Sequence, residues 1–390
     1  MNTFSGDFWW KDIAGPQNFV KRVTEILTER HIPLLSVPAD IPWRHSMRTA
    51  VVEKLNEIHP DISPNVFTID VSDECPENNI GEFLLQKFAD KDVADAYRPR
   101  SGKTVQAYLT AQEVLANKII WVKGLEPVHI EAWMKFCRQF KPCSLETGTF
   151  IVESRDPVPA LLSEIFQPVE FVQFVSHYDA ILFNNLLMSE KEPALTNLRQ
   201  GYISVAAAHL CEFDAELSEA LLQDERWFQK APQEMLQELA EEEPFSRRGE
   251  RSGSRHILAL LRANEMPEIM QRLWTAQIQV LFPILELQRL WIIEQLRSQL
   301  EYIVQTKYVE QFKQRLCSPD EIELGTLVFL MAKHDDGDRW LYVPDDSLRN
   351  AIFKLRDCRN LLAHRHQCCS PEDVDFILSF EETRIAAGKN

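Results

Sequence analysis

No apolar run in this chain approaches the length of a membrane span. Residues 1–7 also lack the basic stretch followed by an apolar core that a secretory leader needs. Both absences lead to the expectation of a cytoplasmic protein with no membrane partner. A disulfide framework is missing too. The eight cysteines (Cys75, Cys137, Cys143, Cys211, Cys317, Cys358, Cys368 and Cys369) are scattered through a large, apolar-rich chain, as reduced thiols are. Cys368 and Cys369 do follow His364 and His366, but adjacent cysteines rarely serve one tetrahedral ion and no C-x-x-C pair occurs. No metal and no other cofactor is therefore expected. Positive charge is in short supply, with 42 basic against 59 acidic residues and a net charge of −17. That balance excludes attraction of nucleic acid over the whole surface and leaves only a local patch for phosphate.

What is present is ample core material. At 390 residues, with 45% hydrophobic and 10% aromatic content, the chain suits two or three domains. Over residues 1–176, β-like runs (Ile32–Val37, Asn65–Val71, Lys118–Val122, Thr149–Glu153 and Glu170–Val175) alternate with helix-period segments near 45–58, 80–90, 103–116, 128–140 and 158–166. Alternation of this kind predicts a parallel, doubly wound α/β domain. Residues 177–243 read as a helical connecting domain that ends in Glu241-Glu242-Glu243. Residues 244–256, rich in Gly, Ser and Arg and without periodicity, read as a flexible linker. Residues 257–390 carry long helical patterns, then an Asp/Gly-rich turn near 334–339, then a helix at about 345–364. The expected fold is thus α/β followed by an all-α bundle.

The order of the first domain resembles a P-loop NTPase of the AAA/STAND kind. A working phosphate loop reads G-x-x-x-x-G-K-[ST], because backbone N–H groups cradle phosphate, the lysine reaches it and the hydroxyl holds Mg²⁺. Here the loop after the first strand is Pro38-Ala39-Asp40-Ile41-Pro42-Trp43-Arg44-His45-Ser46, with no glycine, two prolines and an acid. Arg44, His45 and Ser46 are what remains of such a loop. After the apolar run Ile119–Val122, Lys123 and Gly124 stand where an aspartate would hold the metal, and Glu126 is a poor substitute. The G-K-T triplet at Gly102-Lys103-Thr104 is a decoy. Tyr97 occupies its first glycine position, and Ser101 is expected to cap a helix there. The resemblance implies a degenerate domain that acts as a scaffold or senses a protein partner, with ATP hydrolysis disfavoured.

Near the C-terminus stands Arg359-Asn360-Leu361-Leu362-Ala363-His364. It resembles the R-N-x-x-A-H signature of HEPN domains, small helical domains of which many are metal-independent ribonucleases. The segments Leu273–Arg289 and Ile322–Leu327 resemble blocks that precede such helices in bacterial multidomain proteins with STAND-like N-terminal regions. Leu348, Ile352, Leu355, Arg359 and Leu362 recur every three or four residues, so Arg359 is expected to point with the leucines into a core or an interface. There it would need an anionic partner, either an internal carboxylate or a bound phosphate. His364 lies about 140° further round an ideal helix. Convergence of the two side chains therefore needs the helix to end after Leu362, or two protomers to pair their helices. Around them Arg349, Lys354, Arg356 and Arg365, set against the single acid Asp357, form a candidate RNA-binding patch.

The resemblance implies RNA cleavage by a homodimer, in bacterial anti-phage defence. His364 would serve as general acid/base, Arg359 would stabilise charge on the phosphorane and Asn360 would orient the histidine or the substrate. The alternative is a non-catalytic scaffold whose HEPN-like module dimerises or binds RNA, and the third reading, an ATPase, has lost its loop. Other clusters carry less. His177, Tyr178 and Asp179 are consecutive and point apart on a helix, and His334 with Asp335, Asp336 and Asp338 reads as a solvated loop.

Overall fold

The computed structural model describes residues 3–387, apart from 61–64, 73–78, 100–102, 126, 141–142, 156–164, 191–194, 251–254, 312, 334–337 and 365–366. The chain forms two compact units: Met1–Phe183 with Phe213–Glu216, and Asn184–Glu212 with Leu217–Asn390. No helix among the described residues is long and apolar enough to cross a membrane.

The first unit is built on five parallel strands: β1 (Ile32–Ser36), β2 (Asn65–Asp70), β3 (Lys118–Leu125), β4 (Thr149–Ser154) and β5 (Phe166–Glu170). Their spatial order is β2-β3-β4-β1-β5. Two helices, α1 (Thr3–Asp12) and α2 (Ala14–Thr28), precede β1, where no element is expected from the sequence. Then come α3 (Arg44–Ile58) after β1; α4 (Ile80–Phe88), α5 (Lys91–Ala96) and α6 (Val105–Ala111) after β2; and α7 (Pro127–Gln139) after β3.

Because successive strand side chains alternate between faces, one face carries Ile69, Ile120, Val122, Phe150 and Val152 into a core with α4, α6 and α7. The opposite face carries Ile119, Trp121 and Ile151, and Arg48 of α3 stacks over the Trp121 ring. Helices thus cover both faces, which is why the runs Ile119–Val122 of β3 and Phe150–Val152 of β4 are apolar at every position.

Two details differ from expectation. The fifth strand is Phe166–Glu170, not Glu170–Val175, and Phe171–Gln173 forms a single 3₁₀ turn. Pro168 lies within β5 and argues against a strand when read alone, but β5 pairs only with β1 and an edge tolerates a missing N–H. The apolar run after it serves a different end, since Phe171 is fully buried against the rings of Trp10, Phe19 and Phe213. The helix capped by Ser101 in the sequence reading is instead capped by Thr104, whose hydroxyl accepts the Ala107 N–H. Ser101 and Gly102 lie outside the described residues, as do 158–164 of the helix expected near 158–166, whose last residue, Phe166, instead opens β5.

The second unit is helical. Its elements are the latter half of α8 (His177–Ser189), α9 (Asn197–Cys211), most of α10 (Ala215–Gln223), α11 (Pro232–Leu239), α12 (Ile257–Arg262), α13 (Met266–Gln295), α14 (Arg297–Thr306), α15 (Leu324–Met331), α16 (Asp346–Ala363) and α17 (Pro371–Ala387). A two-stranded hairpin, β6 (Glu310–Gln311) and β7 (Gln314–Arg315), follows α14. The long helix α13 is the spine, packing against α9, α12, α14, α16 and α17. Of residues 177–243, read from the sequence as a connecting domain, 177–183 and 213–216 group with the first unit and the rest with this bundle.

Of residues 244–256, expected as a flexible linker, the stretch 244–250 is tied to α12. Phe245 is buried, and the Arg262 guanidinium donates to the carbonyls of Phe245, Ser246 and Arg248. One arginine thus supplies donors to three backbone carbonyls that no regular element pairs.

Candidate functional site

The chain leaves β1 in one direction across the sheet and leaves β4 in the other. Ligands of open α/β sheets bind in the crevice at such a reversal, outside the carboxyl ends of the strands. In this protein that crevice holds an internal ion cluster. Glu153, at the end of β4, is 4% exposed and receives Arg44, Arg48 at 3.2 Å and the Trp121 Nε1–H at 2.8 Å. Arg44 also donates to the carbonyls of Pro38 (2.8 Å) and Ala39 (3.0 Å).

A phosphate cradle turns N–H groups inward; this loop turns carbonyls inward, toward its own cation. The polarity is the reverse of what an anion needs. Burial lowers the Arg44 guanidinium from its ordinary range, with the like charges of Arg48 and Arg155 acting the same way and Glu153 opposing them.

Two further positions are filled from within. Trp43, the residue before α3, takes a left-handed conformation (φ 42°), and its N–H donates to the Glu216 carboxylate at 2.6 Å. An internal carboxylate therefore sits at the helix end where a phosphate is favoured. At the ends of β2 and β3, Lys123 lies 2.7 Å from Asp70. Burial alone would raise the Asp70 carboxyl, but Lys123 and Ser72 outweigh it and hold the group below its usual range. A lysine thus stands where a divalent cation would. His45 is exposed and Ser46 is turned toward Gly6, so Arg44, His45 and Ser46 do not converge.

This arrangement has a direct test. Adding about 5 mM MgATP is expected to leave the melting temperature of the full chain unchanged, because a ligand at about 100 times its Kd adds about 2.7 kcal/mol. A rise of about 2 °C or more in differential scanning calorimetry would contradict it.

The second candidate lies at the end of α16. Ile352, Leu355 and Leu362 are fully buried, and Leu348 is half-buried. Arg359 is not carried into the core with them. It sits at the edge of the stripe with its side chain one-third exposed, 3.5 Å from Glu323. With Phe282, Leu285, Glu286 and Arg289 the pair lines a cavity of about 60 Å³. Arg289 holds the Glu286 carboxyl below its usual range against the opposing effect of partial burial, and the charge of Arg359 adds to this. Arg289 itself is nearly buried and is committed to the carbonyls of Asp320 and Ile322.

The helix stops at Ala363 for a visible reason. The indole of Trp274 on α13 donates to the Leu362 carbonyl at 2.9 Å, capping an acceptor that the helix leaves open. His364 turns to φ −98°, ψ 119° and is exposed. The helix thus ends one residue beyond Leu362, at Ala363, with His364 outside it. Asn360 and His364 are exposed, and among the described residues neither side chain makes a hydrogen bond.

The segment beyond is clamped. Gln277, buried on α13, accepts the Cys369 N–H at 2.8 Å and donates to its carbonyl at 3.0 Å. Gln277→Leu removes both partners and is expected to cost about 2–4 kcal/mol in urea denaturation; a cost below about 0.5 kcal/mol would show the clamp to be dispensable.

Each described member of the expected RNA-binding set has a carboxylate beside it. Arg349 pairs with Asp346, Lys354 with Asp373 at 3.4 Å, and Arg356 with Asp357 at 2.6 Å. The patch is therefore less positive in space than along the sequence, because Asp373 and Glu323 are brought to it from elsewhere in the chain. Arg365 and His366 lie outside the described residues, as do His334, Asp335 and Asp336. Among the described residues no group of three or more His, Cys, Asp or Glu is placed to hold a metal ion. Comparison with family models, curated proteins and solved structures finds no match.

Glu153 and Glu216 are the residues that sequence reasoning missed. Glu153 closes an apolar strand and carried a signal, since a carboxylate ending a buried run needs a cationic partner. Glu216, more than 170 residues from Trp43 along the chain, carried none.

Proposed function

We propose that the helical unit is a metal-independent RNA endonuclease of HEPN type, and that the α/β unit is a P-loop-like regulatory domain that does not hydrolyse nucleotide. The observation that carries the nuclease reading is the end of α16, where an exposed imidazole and an exposed amide, both without side-chain partners among the described residues, follow a partly exposed arginine. The Arg359–Glu323 pair does not preclude phosphate binding. Ion pairs this exposed contribute about 0–1 kcal/mol, less than a charge-assisted bond to phosphate returns.

In this reading His364 takes the proton from a ribose 2′-OH, and the 2′ oxygen attacks phosphorus. The bond to the 5′ oxygen then breaks, that oxygen takes a proton from an imidazolium of His364, and the phosphorus is left as a 2′,3′-cyclic phosphate. Arg359 neutralises charge on the non-bridging oxygens, and Asn360 orients the imidazole. A homodimer through the helical unit would place a second Arg–His set across the substrate. A protein partner of the α/β unit would be the regulator, and a role in phage defence follows from the motif resemblance.

The test is incubation with RNA and with DNA of the same sequence, both in EDTA. Cleavage of RNA alone is expected, since DNA lacks the nucleophile. Cleavage of both, or of neither, counts against the reading.

A second reading has its own observation. Glu323 and Glu286 beside Arg359 repel a polyanion, and they favour a non-catalytic dimerising or scaffolding module. RNA left intact by a folded wild type would favour it.

A further inference from the structure

A cavity of about 170 Å³ opens between the end of α8, the helix α9 and the loop that joins α10 to α11. Its floor is Met188, Ile203 and Trp227, each no more than 4% exposed, and its side walls are Leu195 and the ring of Phe228. An apolar cavity of about 150 Å³ is known to hold a benzene ring, so the volume suits one six-membered ring. Its chemistry suits an aromatic one, because two aromatic faces and a thioether line it.

The mouth carries charge of one sign. Asp224 and Glu225 are both lining residues. Asp224 is consumed by Arg226, which donates to it from Nε at 3.0 Å and from Nη2 at 2.6 Å. The neighbouring cations are also committed, Arg226 and Lys230 to Glu238, and Arg199 to Asp375 and Glu382 while it stacks on Phe228. Glu225 is exposed and has no ion pair among the described residues. A carboxylate without a cation, at the lip of an aromatic-lined cavity, specifies a cation attached to the ring by a short chain.

The geometry points to this cavity as a binding site for a free arylalkylammonium, with its ring on Trp227 and Met188 and its ammonium group at Glu225. The inference is independent of the nuclease reading, since none of these residues belongs to the α16 site.

Titration calorimetry of the full chain with phenethylamine and with phenylacetate, which has a ring of the same size and the opposite charge, tests it. Phenethylamine is expected to bind with Kd of roughly 1 mM or tighter. Phenylacetate is expected to bind at least about tenfold more weakly, and Glu225→Gln to weaken the amine about fivefold. Ile203→Trp fills the floor and is expected to abolish binding. Should that variant fail to fold by circular dichroism, Leu195→Trp closes the cavity from its half-buried wall with the same expected loss. No heat with phenethylamine up to about 10 mM, equal affinities for amine and acid, or binding that survives the filled cavity would each overturn the inference.

Discussion

Glu153→Ala is expected to destabilise the α/β unit by about 3 kcal/mol, toward the lower end of the 3–5 kcal/mol typical when one partner of a buried ion pair is removed. Glu153 is 4% exposed, while Arg44 and Arg48 are 28% and 17% exposed, so water relieves part of the loss. Without the carboxylate two guanidinium groups share the crevice with no anion between them, and the Trp121 N–H loses its acceptor. Glu153→Gln keeps an acceptor for Trp121 and removes the charge, so it should fall between wild type and alanine. The combined variant Arg44→Met, Arg48→Leu, Glu153→Leu should regain most of the loss, because well-packed apolar groups replace buried ion clusters at little or no cost. Urea denaturation followed by tryptophan fluorescence reads all three. A cost below about 1 kcal/mol for Glu153→Ala would mean that the crevice is wet and the cluster does not organise it.

The second large effect concerns activity. His364→Ala is expected to slow RNA cleavage by about 10²–10⁴, the range for loss of a general acid/base. Arg359→Ala should cost about 10²–10³, as when one group stabilising a developing oxyanion is lost. Stability separates these effects from misfolding. His364 is exposed and Arg359 is held by one exposed ion pair, so each alanine variant should stay within about 0.5 kcal/mol of wild type. Glu323→Gln is the discriminating control. It releases Arg359 from its carboxylate, and in the nuclease account it raises or preserves the rate. A rate that falls tenfold or more in Glu323→Gln, with the fold intact, would assign the carboxylate a role that this account does not give it.

Much of the fold was legible for a simple reason. Strands β1, β3 and β4 carry short apolar runs that are buried, and α16 carries its leucine stripe on one face, so local pattern and tertiary burial agree. Where the two diverge, the reading slips. Pro168 hid β5 because edge position, a tertiary fact, is what makes proline acceptable there. The Gly/Ser/Arg composition of 244–250 resembles a linker because composition does not reveal that Arg262, on the next helix, satisfies its carbonyls.

The α16 site was half legible. The motif positions and the turn away from the helix are local, but Arg359's partner Glu323 comes from a separate segment and Trp274 ends the helix from α13. The loop between β1 and α3 lacks glycine and carries two prolines, which speaks against a phosphate cradle, but local sequence does not reveal that Arg44, standing where the lysine would be, pairs with Glu153.

The most direct test of the central claim is end-group mapping of RNA fragments produced by the purified full chain in EDTA, with His364→Ala alongside. The account predicts 2′,3′-cyclic phosphate on one fragment and a free 5′-hydroxyl on the other, from wild type and not from the variant, because the 2′ oxygen is the nucleophile and no metal-bound water takes part. Fragments ending in 3′-hydroxyl and 5′-phosphate, or identical cleavage by His364→Ala, would contradict it.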